Sequence, residues 1–161
     1  MYEMEIYKNL TGLTDDKQSD SYFQLVAEEK DKNVIGLETI DQQIAVLFGN
    51  GTLERQADLL VETIQHKDSI LKKIIQLNKL YRAGLIDELA EFTKGNDQIT
   101  DMTREEYTKL VDNRNTDWML KLPVSFKESS SFVAVNAVHL GGKNGLIKKL
   151  QNAGYKVKAV N

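Results

Sequence analysis

The sequence contains no cysteine, which removes thiolate zinc sites, cysteine nucleophiles and a disulfide framework together. That absence leaves the compartment open, because a secreted protein need not carry disulfides. No apolar run approaches the roughly 20 residues a membrane helix needs, and Met1 to Leu10 lacks both a basic start and an apolar stretch. The chain as given therefore reads as soluble, without a membrane span. Basic excess is also missing: 21 Lys+Arg against 24 Asp+Glu give a net charge of -3, which disfavours nucleic acid as a partner. What remains is ample for a core, since 41% of the 161 residues are hydrophobic, and a single domain over residues 1–161 is the expectation.

Residues 1–19 have no clear period, and Gly12, Asp15, Asp16 and Ser19 read as loop. Ser21 and Gln24 have the spacing of a capping box, opening a short helix with Tyr22, Phe23, Val26 and Ala27 on one face. Val34 to Glu38 is an apolar run that reads as a strand, and Thr39 with Gln42 forms a second capping box for a helix carrying Ile40, Ile44, Leu47 and Phe48. From Leu53 to Ala83 there is neither proline nor glycine, and Ala57, Leu60, Ile64, Leu71, Ile74 and Tyr81 recur at helical spacing, which predicts one long helix. Gly84 stops it, Ile86, Leu89 and Phe92 suggest a shorter helix, and Gly95, Asn96 and Asp97 a turn. Thr103 and Glu106 form a third capping box, followed by Tyr107, Leu110, Val111, Arg114 and Trp118 at helical spacing until Pro123.

The last 30 residues read as a βαβ unit. Ser131 to Val138 is rich in strand formers, a glycine loop HLGGK follows, a helix starts with Asn144 as N-cap and ends at Gly154, and Tyr155 to Val160 returns as a strand. The expected class is α/β, with a parallel or mixed sheet, a βαβ unit at about 131–160 and a helical insertion at about 53–121. In such sheets ligands bind beyond the carboxyl ends of the strands, where both Glu38 and His139 fall on this reading. Histidine can act as base or metal ligand near neutral pH, and a carboxylate can orient it or activate water. A helix-capping Glu38 and a loop-bonded His139 are the alternative. Arg114 lies on the apolar face of its helix and cannot shed its charge, so it calls for a carboxylate, with Glu38 as candidate, or for an anionic ligand, unless its head reaches water.

Other features say less. The glycines before the last helix invite a phosphate-binding reading but lack the G-x-x-x-x-G-K-[ST] spacing, so a tight turn serves as well. His66 has no second histidine one turn on, and Ser129 to Ser131 lack a nucleophile-elbow pattern.

GLETIDQQ (36–43), ERQADLLVETI (54–64), LYRAGLIDEL (80–89), DNRNTDWM (112–119) and FVAVNAVHLGGKNGLIKKLQNAGYKVKAV (132–160) together resemble the TraB/PrgY/GumN family, and DSYF at 20–23 resembles the segment preceding GLET there. The resemblance implies a fold similar to erythromycin esterase-like and Tiki-type proteins, in which two GxxH motifs, a glutamate and an arginine are proposed to form a metal-dependent hydrolytic site. Within the family, PrgY and TraB are linked to shutting down peptide pheromone activity. Matched by position, Glu38 takes the glutamate, Arg114 the arginine and His139 the second-motif histidine. Glu38 and His139 would be metal ligands, holding a divalent ion of unstated identity, and a peptide or small molecule would be the ligand. This sequence departs from the pattern twice: Asn136 stands where the second motif has glycine, crowding a close backbone approach, and a first GxxH is absent. The chain is thus expected to correspond to the C-terminal half or so of such a protein, with an incomplete sheet. Two readings compete with metal-assisted hydrolysis: a module that sequesters a peptide or ligand without turnover, and a structural remnant that forms homo-oligomers to cover an unpaired sheet edge.

Overall fold

Where its backbone is regular, the chain is helical throughout the region that the computed structural model describes, residues 19–49, 52–94 and 103–160. The loop residues Gly12, Asp15 and Asp16 and the turn at Gly95, Asn96 and Asp97 lie outside those residues. The chain divides into two compact units, Met1–Gly36 and Leu37–Asn161.

In the first unit, helix α1 spans Ser19–Glu29. Ser21 lies inside it, not at its N-terminus, so the expected capping box does not form there; Ser19 is helical too. The helix ends in a double backbone clasp, Lys32 N–H to Ala27 O and Asp31 N–H to Glu28 O, with Asp31 left-handed at a φ of 49°. That is a Schellman ending with aspartate where glycine is usual.

The second unit opens with α2, Ile40–Phe48, whose capping box is the expected one: Thr39 Oγ1 accepts from Gln42 N–H and Gln42 Oε1 accepts from Thr39 N–H. The long helix predicted from Leu53 to Ala83 is instead two, α3 (Leu53–Gln65) and α4 (Lys67–Arg82), because the backbone breaks at His66, with φ -111° and ψ 25°. Gly84, at a φ of 68°, then turns the chain into α5 (Ile86–Thr93), which packs on α4 and buries Leu89 and Ala90. Thr103 caps α6 (Arg104–Tyr107) with Glu106 as anticipated.

Between α6 and α7 (Arg114–Glu128) the helix widens into a π turn over Thr108–Asn113. Pro123 does not end α7, which runs five residues past it. Trp118 and Leu122 of α7 meet Leu146 of the last helix, α8 (Leu146–Asn152), in a buried cluster flanked by Leu37, Phe126, Val135 and Leu140. Each such fully buried large side chain contributes about 2 kcal/mol. The 3-10 turn Ala137–His139 lies between α7 and α8.

The α/β expectation is overturned: no strand, and hence no sheet or βαβ unit, occurs among the described residues. Val34 to Glu38, Ser131 to Val138 and Tyr155 to Val160 were the expected strands, and none is paired in a ladder. A strand of a parallel sheet needs a hydrogen-bonded neighbour and cover on both faces. Here Val34, Ile35, Phe132 and Val160 are exposed by 56, 59, 74 and 95%. β-branched composition reports how well a residue fits a pleated surface, and without a partner it yields extended chain. Asn136 also closes the second segment early: its Oδ1 accepts from Val138 N–H at 3.2 Å and turns the backbone into the 3-10 element. Asn136 is itself exposed, so the crowding expected of it does not arise.

Candidate functional site

The candidate residues converge on α7. Its first turn carries Arg114 and Asn115, and Trp118 follows one turn later. Had the helix been regular from Tyr107 onward, Arg114 would have shared the buried face with Tyr107 and Val111. The π turn wraps extra residues through i→i+5 bonding and rotates the following helix, so the buried series becomes Tyr107, Val111, Asn115, Trp118, Leu122. Asn115 is completely buried and Arg114 swings to the margin, its side chain 20% exposed.

There Arg114 meets Glu38. Its Nε and Nη2 donate to Oε1 and Oε2 at 2.7 and 2.9 Å, a bidentate pair, while Nη1 donates to Leu110 O at 3.1 Å. Trp118 Nε1 donates to Glu38 Oε1 at 2.9 Å, and the guanidinium lies 5.0 Å from the indole. Burial alone would push the Glu38 carboxyl up. The Arg114 hydrogen bonds and charge, with the indole N–H, outweigh it and hold the carboxyl below its ordinary value. Glu38 is placed here by the last turn before Thr39 caps α2, and by Lys121, whose Nζ holds the neighbouring Leu37 carbonyl at 2.7 Å. It is thus no strand end that brings Glu38 to the cluster.

His139 sits at the end of the 3-10 turn, 4% exposed, with its ring 4.5 Å from Trp118. Its tautomer follows from Asn115. The Asn115 amide nitrogen donates to two carbonyls, His139 O at 3.1 Å and Asn144 O at 3.0 Å, which orients the amide and leaves Oδ1 as acceptor. The 2.8 Å contact between that oxygen and His139 Nδ1 is therefore an Nδ1–H donation, and Nε2 carries the lone pair. Burial, reinforced by the Arg114 charge and only partly opposed by Glu38, lowers the imidazole to about 4, so it is neutral at pH 7. Lys73 Nζ is the only side-chain polar atom among the described residues that is both sealed from solvent and unpaired. His139 Nε2 has no hydrogen-bond partner among the described residues.

The glycine loop is a packing device. A Cβ on Gly141 would lie 2.0 Å from Ile86 O, and one on Gly145 2.3 Å from Leu140 O. Gly142 N–H already donates to Asp87 Oδ1 at 2.7 Å, so a carboxylate of α5 occupies the amide a phosphate would need. Gly145, not Asn144, precedes α8 as its N-cap; Asn144 turns back and donates to Asp112 Oδ2 at 2.9 Å. The π turn thereby holds the loop behind His139 through Asp112 and, one step on, Asn115.

Glu38, Arg114 and His139 thus meet around Trp118. From the sequence Asn144 is expected only as a helix N-cap and Asn115 has no site role; the signal for Asn115 is its three-and-four spacing to Trp118 and Leu122, which marks a buried face only once the π turn is known. As a metal site the set does not fit as it stands. Glu38 Oε1 accepts from Arg114 and Trp118 and Oε2 from Arg114, so the carboxylate is engaged beside a guanidinium charge, His139 Nε2 is the remaining unpartnered nitrogen, and no group of three His, Cys, Asp or Glu able to hold an ion occurs among the described residues. No helix among the described residues is long and apolar enough to cross a membrane.

A model of the TraB/PrgY/gumN family matches residues 1–159, a longer stretch than the blocks from residue 20 onward that carried the resemblance. No curated protein and no solved structure matches the chain.

Proposed function

Taking as premise that this chain belongs to the TraB/PrgY/gumN family, we propose that it binds a peptide or small ligand at the cluster around Trp118, with His139 Nε2 accepting a hydrogen bond from the ligand. The observation that carries this reading is the commitment of Glu38: its two oxygens answer Arg114 and Trp118, while the neutral, Nδ1-anchored imidazole leaves its Nε2 lone pair without a partner among the described residues. In this role Glu38 and Arg114 build the wall and hold Trp118 against the imidazole, and Asn115 fixes which nitrogen faces the ligand.

One observation favours a second reading, hydrolysis of a peptide or ester bond with His139 as general base. An imidazole held in a single tautomer by an asparagine is arranged to take a proton from water at Nε2. A divalent ion at Glu38 and His139, as the family resemblance implies, would first have to displace Arg114 from the carboxylate.

Calorimetric titration with a defined pool of short peptides, and separately with Mn2+ and Zn2+, separates these readings. Binding expects peptide uptake weakened at least about tenfold in His139→Gln. Turnover of the same peptides or of a nitrophenyl ester, lost in that variant, would move the assignment to hydrolysis. Stoichiometric metal uptake abolished by both Glu38→Gln and His139→Gln would overturn the binding reading.

A further inference from the structure

Two exposed strips outside the site match each other. On α3, Glu54, Asp58 and Val61 follow at four- and three-residue spacing along one face; on α4, Ile75, Lys79 and Arg82 do the same. All six are exposed, Val61 by 49% and Ile75 by 46%, and none of the four charged groups is ion-paired to another described residue. Run in opposite directions, the strips register acid on base and apolar on apolar. α3 and α4 join through His66 alone, with no loop that could fold one strip onto the other, so the match is available only between copies.

We infer that the protein forms an isologous dimer in which α3 of each copy lies antiparallel on α4 of the other. Glu54 then faces Arg82, Asp58 faces Lys79 and Val61 faces Ile75, and two-fold symmetry makes every contact twice. Leu60 and Ile64 beside the α3 strip and Tyr81 beside the α4 strip, exposed by 56, 69 and 63%, supply the further apolar area that such a contact covers.

Sedimentation equilibrium at low and high salt tests this. The wild-type chain dimerises at low salt, and raising salt weakens the dimer. Glu54→Lys with Asp58→Lys, or Lys79→Glu with Arg82→Glu, raises the dimer dissociation constant at least about tenfold with the helical circular dichroism unchanged. Combining all four reversals restores the dimer, which neither a folding defect nor dimerisation through another face would do. A monomeric wild-type chain at low salt, a dimer indifferent to either reversed pair, or a fourfold variant that stays monomeric overturns the proposal.

Discussion

His139→Gln should flatten a specific part of the stability profile against pH. In the folded chain the imidazole titrates near 4, whereas in the unfolded chain it returns to its ordinary 6.5. Between these values the unfolded state binds a proton that the folded state refuses, so stability is complete above pH 6.5, falls as pH drops toward 4, and receives nothing further from this group below that. The difference of about 2.5 units, at 1.36 kcal/mol per unit, amounts to about 3 kcal/mol for an imidazole only 4% exposed. Glutamine keeps an N–H that can reach Asn115 Oδ1 but has no titrating nitrogen. Urea unfolding at half-unit steps from pH 7.5 to 4 provides the assay, with the two profiles subtracted. The expected difference curve rises by about 3 kcal/mol across the window and is level above pH 6.5. Parallel profiles for wild type and variant would refute burial and the Arg114 charge as the source of the effect.

Arg114→Met removes the partner of a carboxylate whose side chain is 8% exposed, and should lower stability by about 3 kcal/mol, less in the double variant with Glu38→Gln because no charge is then stranded; thermal unfolding of the four-member cycle measures it. In that single variant the Glu38 carboxyl loses the main groups that depress it and keeps only the Trp118 N–H, so most of the stability that wild type keeps above the carboxylate range and loses as pH falls through the lowered value should disappear from the acid end of the curve. Asn115→Ala strands the buried His139 Nδ1–H and carbonyl and the part-buried Asn144 carbonyl, and should cost about 4 kcal/mol by denaturant titration, at one to three per unsatisfied group with partial relaxation. Gly141→Ala drives a methyl against the Ile86 carbonyl and should cost about 3 kcal/mol in the same assay, whereas Gly84→Ala meets open space and pays only for its left-handed backbone.

Local rules read from the sequence hold where a few neighbouring residues settle the outcome. Thr39 with Gln42 and Thr103 with Glu106 are closed within one turn, and both boxes form. An arginine drawn partly out of water needs a carboxylate, and Glu38 is the one Arg114 finds, 76 positions away. Rules that depend on a distant partner fare worse. FVAVNAV has strand chemistry, yet strand formation is decided by a pairing strand alongside, and no strand occurs among the described residues. The π turn is the subtler failure. One altered turn at Thr108–Asn113 exchanges the places of Arg114 and Asn115, and no periodicity read at 3.6 residues per turn anticipates it. The break at His66 is similar, since Leu53 to Ala83 contains no proline or glycine to announce it.

The account turns on a neutral His139 anchored through Nδ1 with the lone pair on Nε2. Long-range proton–nitrogen correlation spectra of labelled protein at pH 7, assigned with His139→Gln, observe this directly. They should show a protonated Nδ1 and an unprotonated Nε2 that persist as pH is lowered until near 4. A proton on Nε2, or an imidazolium already present at pH 6, would contradict it.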